Sequence, residues 1–178
     1  MDDLATYLLD LVQNSIAAKA QTIRLTMKEE TVLMITLEDD GVGIEEAIIP
    51  KVTSPFYTTR KTRKVGLGLP MIKMLTEQTQ GDFHLESVIN QGTILRFSMD
   101  HNHVDMPPIG HLGEMVYMIS IHQDVQEFVF TYQTTLGTFS YVLSEIKTLF
   151  QETLSTHDVM KGIIDYIQQQ IQHIRGES

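Results

Sequence analysis

The chain opens on a helical pattern of apolar positions. Leu4, Leu8, Leu11 and Ser15–Ile16 recur at helical spacing, which predicts a helix over about Asp3 to Ala18 with Asp2 or Asp3 as its cap. The period then changes to two. Thr22–Met27 and Val32–Leu37 alternate apolar and polar residues across the polar Lys28–Glu30, the pattern of a hairpin. Glu38-Asp-Asp-Gly-Val-Gly-Ile44 is too rich in glycine to extend the strand, and Glu45–Ile49 predicts a short helix stopped near Pro50. Lys51 to Val65 carries Pro55, several threonines and no periodicity, and a loop of that length is often functional, such as a lid. Gly66-Leu-Gly-Leu69 leads into a second helix, with Pro70 in its first turn, where the missing N–H costs little. Two further strands, Phe83–Val88 and Thr93–Met99, flank a turn at Asn90-Gln91-Gly92. Helix, hairpin, loop, helix and hairpin in that order predict an α+β fold, with helices on one face of a largely antiparallel sheet.

The pattern breaks at Asp100–Pro108, where proline and polar residues predict a linker over 101–108 between a first domain (1–100) and a small α+β domain (109–178). In the second part, Leu112–Ile121 predicts a helix, Glu127–Thr131 and Thr138–Val142 two strands, and Ser144–Phe150 and His157–Ile174 two more helices. The last helix carries an apolar stripe of Ile163, Ile164, Ile167, Ile171 and Ile174. It either packs on its own domain or receives a partner helix.

Composition narrows the function. The 178 residues carry a formal net charge of −10, which argues against general nucleic-acid binding. No apolar run approaches the roughly 20 residues that span a bilayer. The start lacks the basic region of a secretory signal and there is no cysteine, so the protein is expected in the cytoplasm, with neither disulfides nor thiolate metal sites. Within this acidic chain, Arg60, Lys61, Arg63 and Lys64 fall together, a cluster suited to a small anion or to plain solvation of a loop.

Three spacings suggest chemistry. Asp10 and Asn14 lie one turn apart on the first helix, so a carboxylate and an amide oxygen share a face and can hold Mg²⁺, a cation that prefers oxygen ligands. Asp39-x-Gly41-x-Gly43 puts a carboxylate at a strand end, where it can accept from an exocyclic amine, beside glycines that let backbone approach a flat ligand. Gly66 and Gly68 open a helix whose free N–H groups suit phosphate, with the basic cluster just before them. His101 and His103 form an H-x-H pair with no evident third ligand, so a linker role is expected.

Taken in order, these segments resemble the ATPase superfamily of gyrase, heat-shock chaperone, histidine kinase and MutL, whose nucleotide domain is the Bergerat-type two-layer α/β sandwich. DLVQNSIAAKA is similar to its Asn-box, EDDGVGI to its first glycine box and SPFYTTRK to the phenylalanine box and lid of histidine kinases. VGLGLPMIKML is similar to the second glycine box and QGTILRF to the late Gly-Thr of the adenine pocket. The resemblance covers about residues 3 to 99. It implies that Asn14 coordinates Mg²⁺. It implies that Asp39, rather than the neighbouring Asp40, binds the adenine amine, with Gly41 and Gly43 in the same box and Thr93 assisting through water. It further implies that Gly66, Leu67 and Gly68 contact phosphates, and that Arg60 and Lys61 approach the γ-phosphate.

The chain departs from that pattern at one informative place. Hydrolases of the superfamily carry Glu four residues before the box Asn, where this chain has Asp10. The shorter side chain withdraws the carboxylate by about one bond, and a displacement near 1 Å can cost on the order of a hundredfold in rate. Kinase members often carry Lys where this chain has Ala17. The chain begins at the Asn-box, so a preceding phosphoacceptor domain is not expected, and His157-Asp158 is a faint substitute. The expectation is an ATP- and Mg²⁺-binding module of histidine kinase-like type. It would act as a stand-alone kinase on a partner protein that contacts the C-terminal domain, with Asp10 as its catalytic group. The alternatives are a non-catalytic ATP sensor and a slow ATPase, and a homodimer is compatible with any of them.

Overall fold

The computed structural model describes residues 3–54 and 68–177. Helix α1 (Leu4–Ala17) starts where its cap dictates, because the Asp3 carboxylate accepts from the Thr6 N–H at 2.8 Å. Its apolar face buries Leu4, Leu8, Leu11, Val12 and Ile16, each contributing on the order of 1.5–3 kcal/mol of transfer free energy. Strands β1 (Thr22–Glu29) and β2 (Leu33–Asp39) form the predicted hairpin, both two residues longer at their C-terminal ends than the alternation indicated. Pro50 does not stop a helix. It sits in the first turn of the four-residue α2 (Ile49–Val52), after a 3-10 turn over Glu46–Ile48, where a missing N–H leaves no bond broken. Helix α3 (Gly68–Gln78) and strands β3 (Phe83–Val88) and β4 (Gly92–Met99) follow.

Beyond the expected linker come α4 (Leu112–Ser120), β5 (Glu127–Thr134), β6 (Thr138–Val142), α5 (Leu143–Phe150) and α6 (His157–Arg175). The six strands make one sheet in the order β3-β4-β2-β1-β5-β6. It is mixed, because β5 joins β1 in parallel over Thr22–Glu29 and Glu127–Thr134, while the other pairings are antiparallel. The C-terminal residues thus extend the sheet of the N-terminal ones. The connection between them also anchors α1, since Pro108 and Ile109 carbonyls accept from the Leu4 and Ala5 N–H groups at 2.8 and 2.9 Å.

Alternation gives the sheet one apolar face. Ile23, Leu25 and Met27 of β1, Leu33, Ile35 and Leu37 of β2, and Phe128, Phe130 and Tyr132 of β5 are buried under the helices, while Arg24, Met34, Arg96, His84 and Glu86 lie exposed on the other side. The isoleucine stripe of α6 is covered by its own chain: Ile163, Ile167, Ile171 and Ile174 are buried. Gly113 of α4 lies so close to α6 that a Cβ there would come within 2.5 Å of the Ile164 carbonyl.

Candidate functional site

Strand β2 ends at Asp39, and its pairing with β4 sets Asp39 opposite Thr93, which in turn faces Ser87 on β3. Helix α1 runs over these strand ends and lowers Asn14 and Ser15 toward them. Between lies a cavity of about 120 Å³ lined by Leu11, Asn14, Ser15, Ala18, Leu37, Asp39, Gly43, Ile44, Leu69, Leu85, Thr93 and Leu95. Its lining is mostly apolar, with Asn14 and Ser15 from the helix and Asp39 and Thr93 from the strands as its polar groups, a composition suited to a flat ring with a polar edge.

The two neighbouring aspartates have separate tasks. Asp40 is spent on the backbone: Oδ1 accepts from the N–H groups of Gln21 and Thr22 at 2.6 and 2.9 Å. Burial would raise its carboxyl, but those N–H groups outweigh it and hold the group below the ordinary carboxylate range. Asp39 faces the cavity. Ser15, 4% exposed, donates to Asp39 Oδ2 at 2.6 Å, and the Gly41 N–H donates to Oδ1 at 2.9 Å. These two bonds fix the carboxylate plane and leave lone pairs on both oxygens.

The loop after β2 is shaped by backbone contact. Gly43 has φ +71° and a Cβ there would overlap the Val88 carbonyl at 2.1 Å; Gly92 has φ +109° and a Cβ would meet the Asp39 carbonyl at 1.8 Å. Only glycine combines left-handed φ with so close an approach. The Asn90 N–H donates to the Val42 carbonyl at 2.8 Å, tying the β3–β4 turn to the same loop.

At the other end of the cleft, Asp10 reaches under the start of α3. A Cβ on Gly68 would lie 2.3 Å from Asp10 Oδ2. That oxygen is buried and has no hydrogen-bond partner among the described residues. An orphaned buried carboxylate oxygen costs of the order of 1–3 kcal/mol or more, and a cation or bound water beside it removes that cost. Asp10 and Asn14, one helical turn apart, therefore fit an Mg²⁺ that takes its remaining ligands from phosphate and water. Among the described residues no group of three or more His, Asp or Glu is arranged to hold a metal by itself.

The structure brings together Asn14, Asp39, Gly43 and Thr93 around one cavity, with Gly41 bonded to Asp39 and with Asp10 and Gly68 close to each other. Arg60, Lys61, Gly66 and Leu67 lie outside the described residues. His101 and His103 do not converge on a metal: His103 Nδ1 accepts from the Asp105 N–H at 3.2 Å, and His101 Nδ1 lies 3.8 Å from Glu29 Oε1. His157 is exposed as the first residue of α6. Sequence reasoning gave no separate role to Ser15 and passed over Ser87. Both were visible as polar residues at core-facing positions, Ser15 beside Asn14 on the buried side of α1 and Ser87 in phase with Phe83 and Leu85.

A mixed sheet covered on one face, with a helix and two glycine loops enclosing a carboxylate-floored cavity, defines a nucleotide-binding domain. The family model described as histidine kinase-, DNA gyrase B-, and HSP90-like ATPase matches residues 1–103, more than half of the chain, and the chain belongs to that family. The chain is 29% identical over 102 residues to sporulation kinase E of Bacillus subtilis (strain 168), a match covering 55% of this chain and 14% of that protein. It is 33% identical over 79 residues to the sensor histidine kinase WalK of the same organism, covering 42% of this chain and 13% of that one. The matched part is thus a small fraction of those relatives' length. The crystal structure of the N-terminal domain of a DNA repair protein superposes with a TM-score of 0.54 at 20% identity, covering 79% of this chain and 51% of that one. This likeness in fold extends beyond the residues that the family model matches.

Proposed function

We propose that this ATP-binding domain serves as an Mg–ATP-dependent kinase module that phosphorylates a partner protein in cytoplasmic signalling. The observation that carries the reading is the cavity edge: Asp39 is held by Ser15 and Gly41 with its free lone pairs toward an apolar slot. An adenine ring fits such a slot with its exocyclic amine on the carboxylate. Asn14 would hold Mg²⁺ against the phosphates, the N-terminus of α3 from Gly68 would face them, and Asp10 would act on the metal or on the attacking group. Gly66, Leu67, Arg60 and Lys61 would complete the phosphate end. Magnesium supplies charge neutralisation for phosphoryl transfer when bound. The kinase names of the similar proteins support phosphotransfer, and residues 109–178 are proposed as the surface that selects the partner.

One feature favours a second reading, a non-catalytic ATP sensor. Asp10 is packed against Gly68 rather than reaching into the cavity. Incubation with γ-labelled ATP and Mg²⁺, with and without cell extract, separates the readings. Label on protein is the expected result. Free phosphate at an Asp10-dependent rate indicates a hydrolase, and tight ATP binding with neither product overturns the kinase reading in favour of the sensor.

A further inference from the structure

The sheet has two edges, and they are finished differently. The β3 edge carries charge: His84 and Glu86 lie exposed on it, bonded to each other at 2.6 Å, with Arg96 of β4 at 3.6 Å from the same Glu86 carboxylate. Charge on an edge strand discourages a further strand from joining it. The β6 edge has none. From Phe128 to Ser144 no residue is charged, in a chain of net charge −10. Strand β6 also contains no proline, and its register with β5 runs without a bulge. Among the described residues no strand pairs with its outer side.

The register shows what that side presents. The Thr134 N–H donates to the Gly137 carbonyl at 2.8 Å where the β5–β6 turn closes. Bonded pairs alternate from there along an antiparallel ladder, so Phe139 and Tyr141 turn their backbone groups to β5, while the N–H groups of Thr138, Ser140 and Val142 point outward. The outward carbonyls are those of Thr138 and Ser140, since Val142 is the N-cap of α5 and its carbonyl begins that helix. The strand also reads alike in both directions: Thr138 and Val142 are β-branched, Phe139 and Tyr141 are aromatic, and Ser140 stands at the centre.

We infer that β6 is a self-pairing edge, through which two copies of the chain join antiparallel about a two-fold axis at Ser140. Ser140 exchanges two backbone bonds with Ser140 of the second copy, and each Val142 N–H reaches the Thr138 carbonyl across the axis. Phe139 comes opposite Tyr141 of the second copy, an aromatic cross-strand pair. Tyr166 of α6, 53% exposed, stands edge-on to Phe139 with 6.0 Å between ring centroids and widens the apolar rim. A second copy is the occupant that fits, because self-pairing through β6 brings two acidic molecules together where neither carries charge. The cavity at Asp39 is bounded by α1 and by β2, β4 and β3, away from β6, so both cavities stay open.

Sedimentation equilibrium of the full chain over micromolar concentrations, in salt sufficient to screen the repulsion of two acidic bodies, is expected to show a weak, reversible dimer, the strength of a small interface. The Ser140 side chain is exposed on the open face beside Thr131, so Ser140→Lys and Ser140→Glu should keep the fold and the ATP affinity. Each variant alone sets like charges against each other at the axis and should weaken dimerisation about tenfold. In an equimolar mixture of the two variants opposite charges meet at the axis, and association should return to at least the wild-type level. Only a residue that meets its own copy gives that rescue. Wild-type protein that stays monomeric, a dimer indifferent to both variants, or a mixture that fails to associate overturns the inference.

Discussion

The two ends of the β1–β2 hairpin each carry a half-buried carboxylate, and they are treated differently. At the turn end, Glu29 is surrounded by donors of its own chain. Tyr132 donates to Oε2 at 2.6 Å, Arg175 Nε donates to the same oxygen at 2.9 Å, and its NH2 group donates to Oε1 at 3.2 Å. Burial would raise the Glu29 carboxyl, but the hydrogen bonds from Arg175 and Tyr132 and the charges of Arg175 and His101 outweigh it and hold the group below its ordinary value. At the other end, Asp39 receives two neutral donors and, among the described residues, no cation, and it lines a cavity. The first carboxylate is satisfied by a strand and a helix far away in sequence and bolts β1 to β5 and to the end of α6. The second is oriented but left with acceptor capacity to spare. A buried charge matched within the fold marks structure, whereas one positioned and left open marks a ligand.

That contrast can be broken by exchanging effects between the ends. The largest expected effect is on stability: Glu29→Ala leaves Tyr132 and Arg175 without their acceptor and should cost about 3 kcal/mol. For a chain of this size that lowers the melting temperature by roughly 5–10 °C, while ATP affinity of the folded protein stays the same. Thermal unfolding with and without ATP checks both parts. Loss of ATP affinity in the folded variant would show that the two ends are not separate.

The next effect sharpens the phosphate end. Asp10→Asn keeps the shape of the side chain and removes its charge beside Gly68, so the gain in ATP affinity brought by Mg²⁺ should drop about tenfold, the scale of one charge-assisted contact. Affinity in the presence of a chelator should not fall. Titrations with and without Mg²⁺ decide it, and an unchanged Mg²⁺ effect would leave Asp10 a packing residue.

The smallest effect is an acid one. The folded-state carboxyl of Glu29 is lowered from 4.5, so its stabilisation is fully present above that value and is lost as pH falls through the lower folded-state value. The stability difference between wild type and Glu29→Gln, measured by urea unfolding, should therefore shrink as pH falls below the ordinary carboxylate range of about 4. A constant difference would assign the Glu29 contacts to packing rather than charge.

Much of this organisation was legible in the sequence, because local rules decide it. Asp3 capped the first helix, alternation placed β3 and β6 within their observed limits, and the Asp39 glycine box marked one end of the cleft. What was not legible depends on pairing at long range. Nothing local to Glu127–Thr134 says that it joins β1 in parallel, so the C-terminal part was expected as a separate domain when its strands extend the first sheet. For the same reason the Glu29–Arg175 pair, distant in sequence, could not be foreseen. The glycine-box register already favoured Asp39 over Asp40, and the structure adds a physical reason, because the backbone N–H groups of Gln21 and Thr22 already occupy the Asp40 carboxylate. Ser87 was missed because a serine in a strand draws attention only once its neighbours across the sheet are known.

The central claim is that Asp39 reads the adenine amine. Asp39→Asn tests it most directly, because the Gly41 N–H requires an oxygen at one position and so places the new amide nitrogen toward Ser15 and the cavity. Nucleotide binding by calorimetry, alongside thermal unfolding to confirm the fold, should show ATP affinity reduced about a hundredfold, the cost of replacing a charged acceptor with a donor, and a melting temperature close to wild type. A folded Asp39→Asn protein that binds ATP as tightly as wild type would contradict the account.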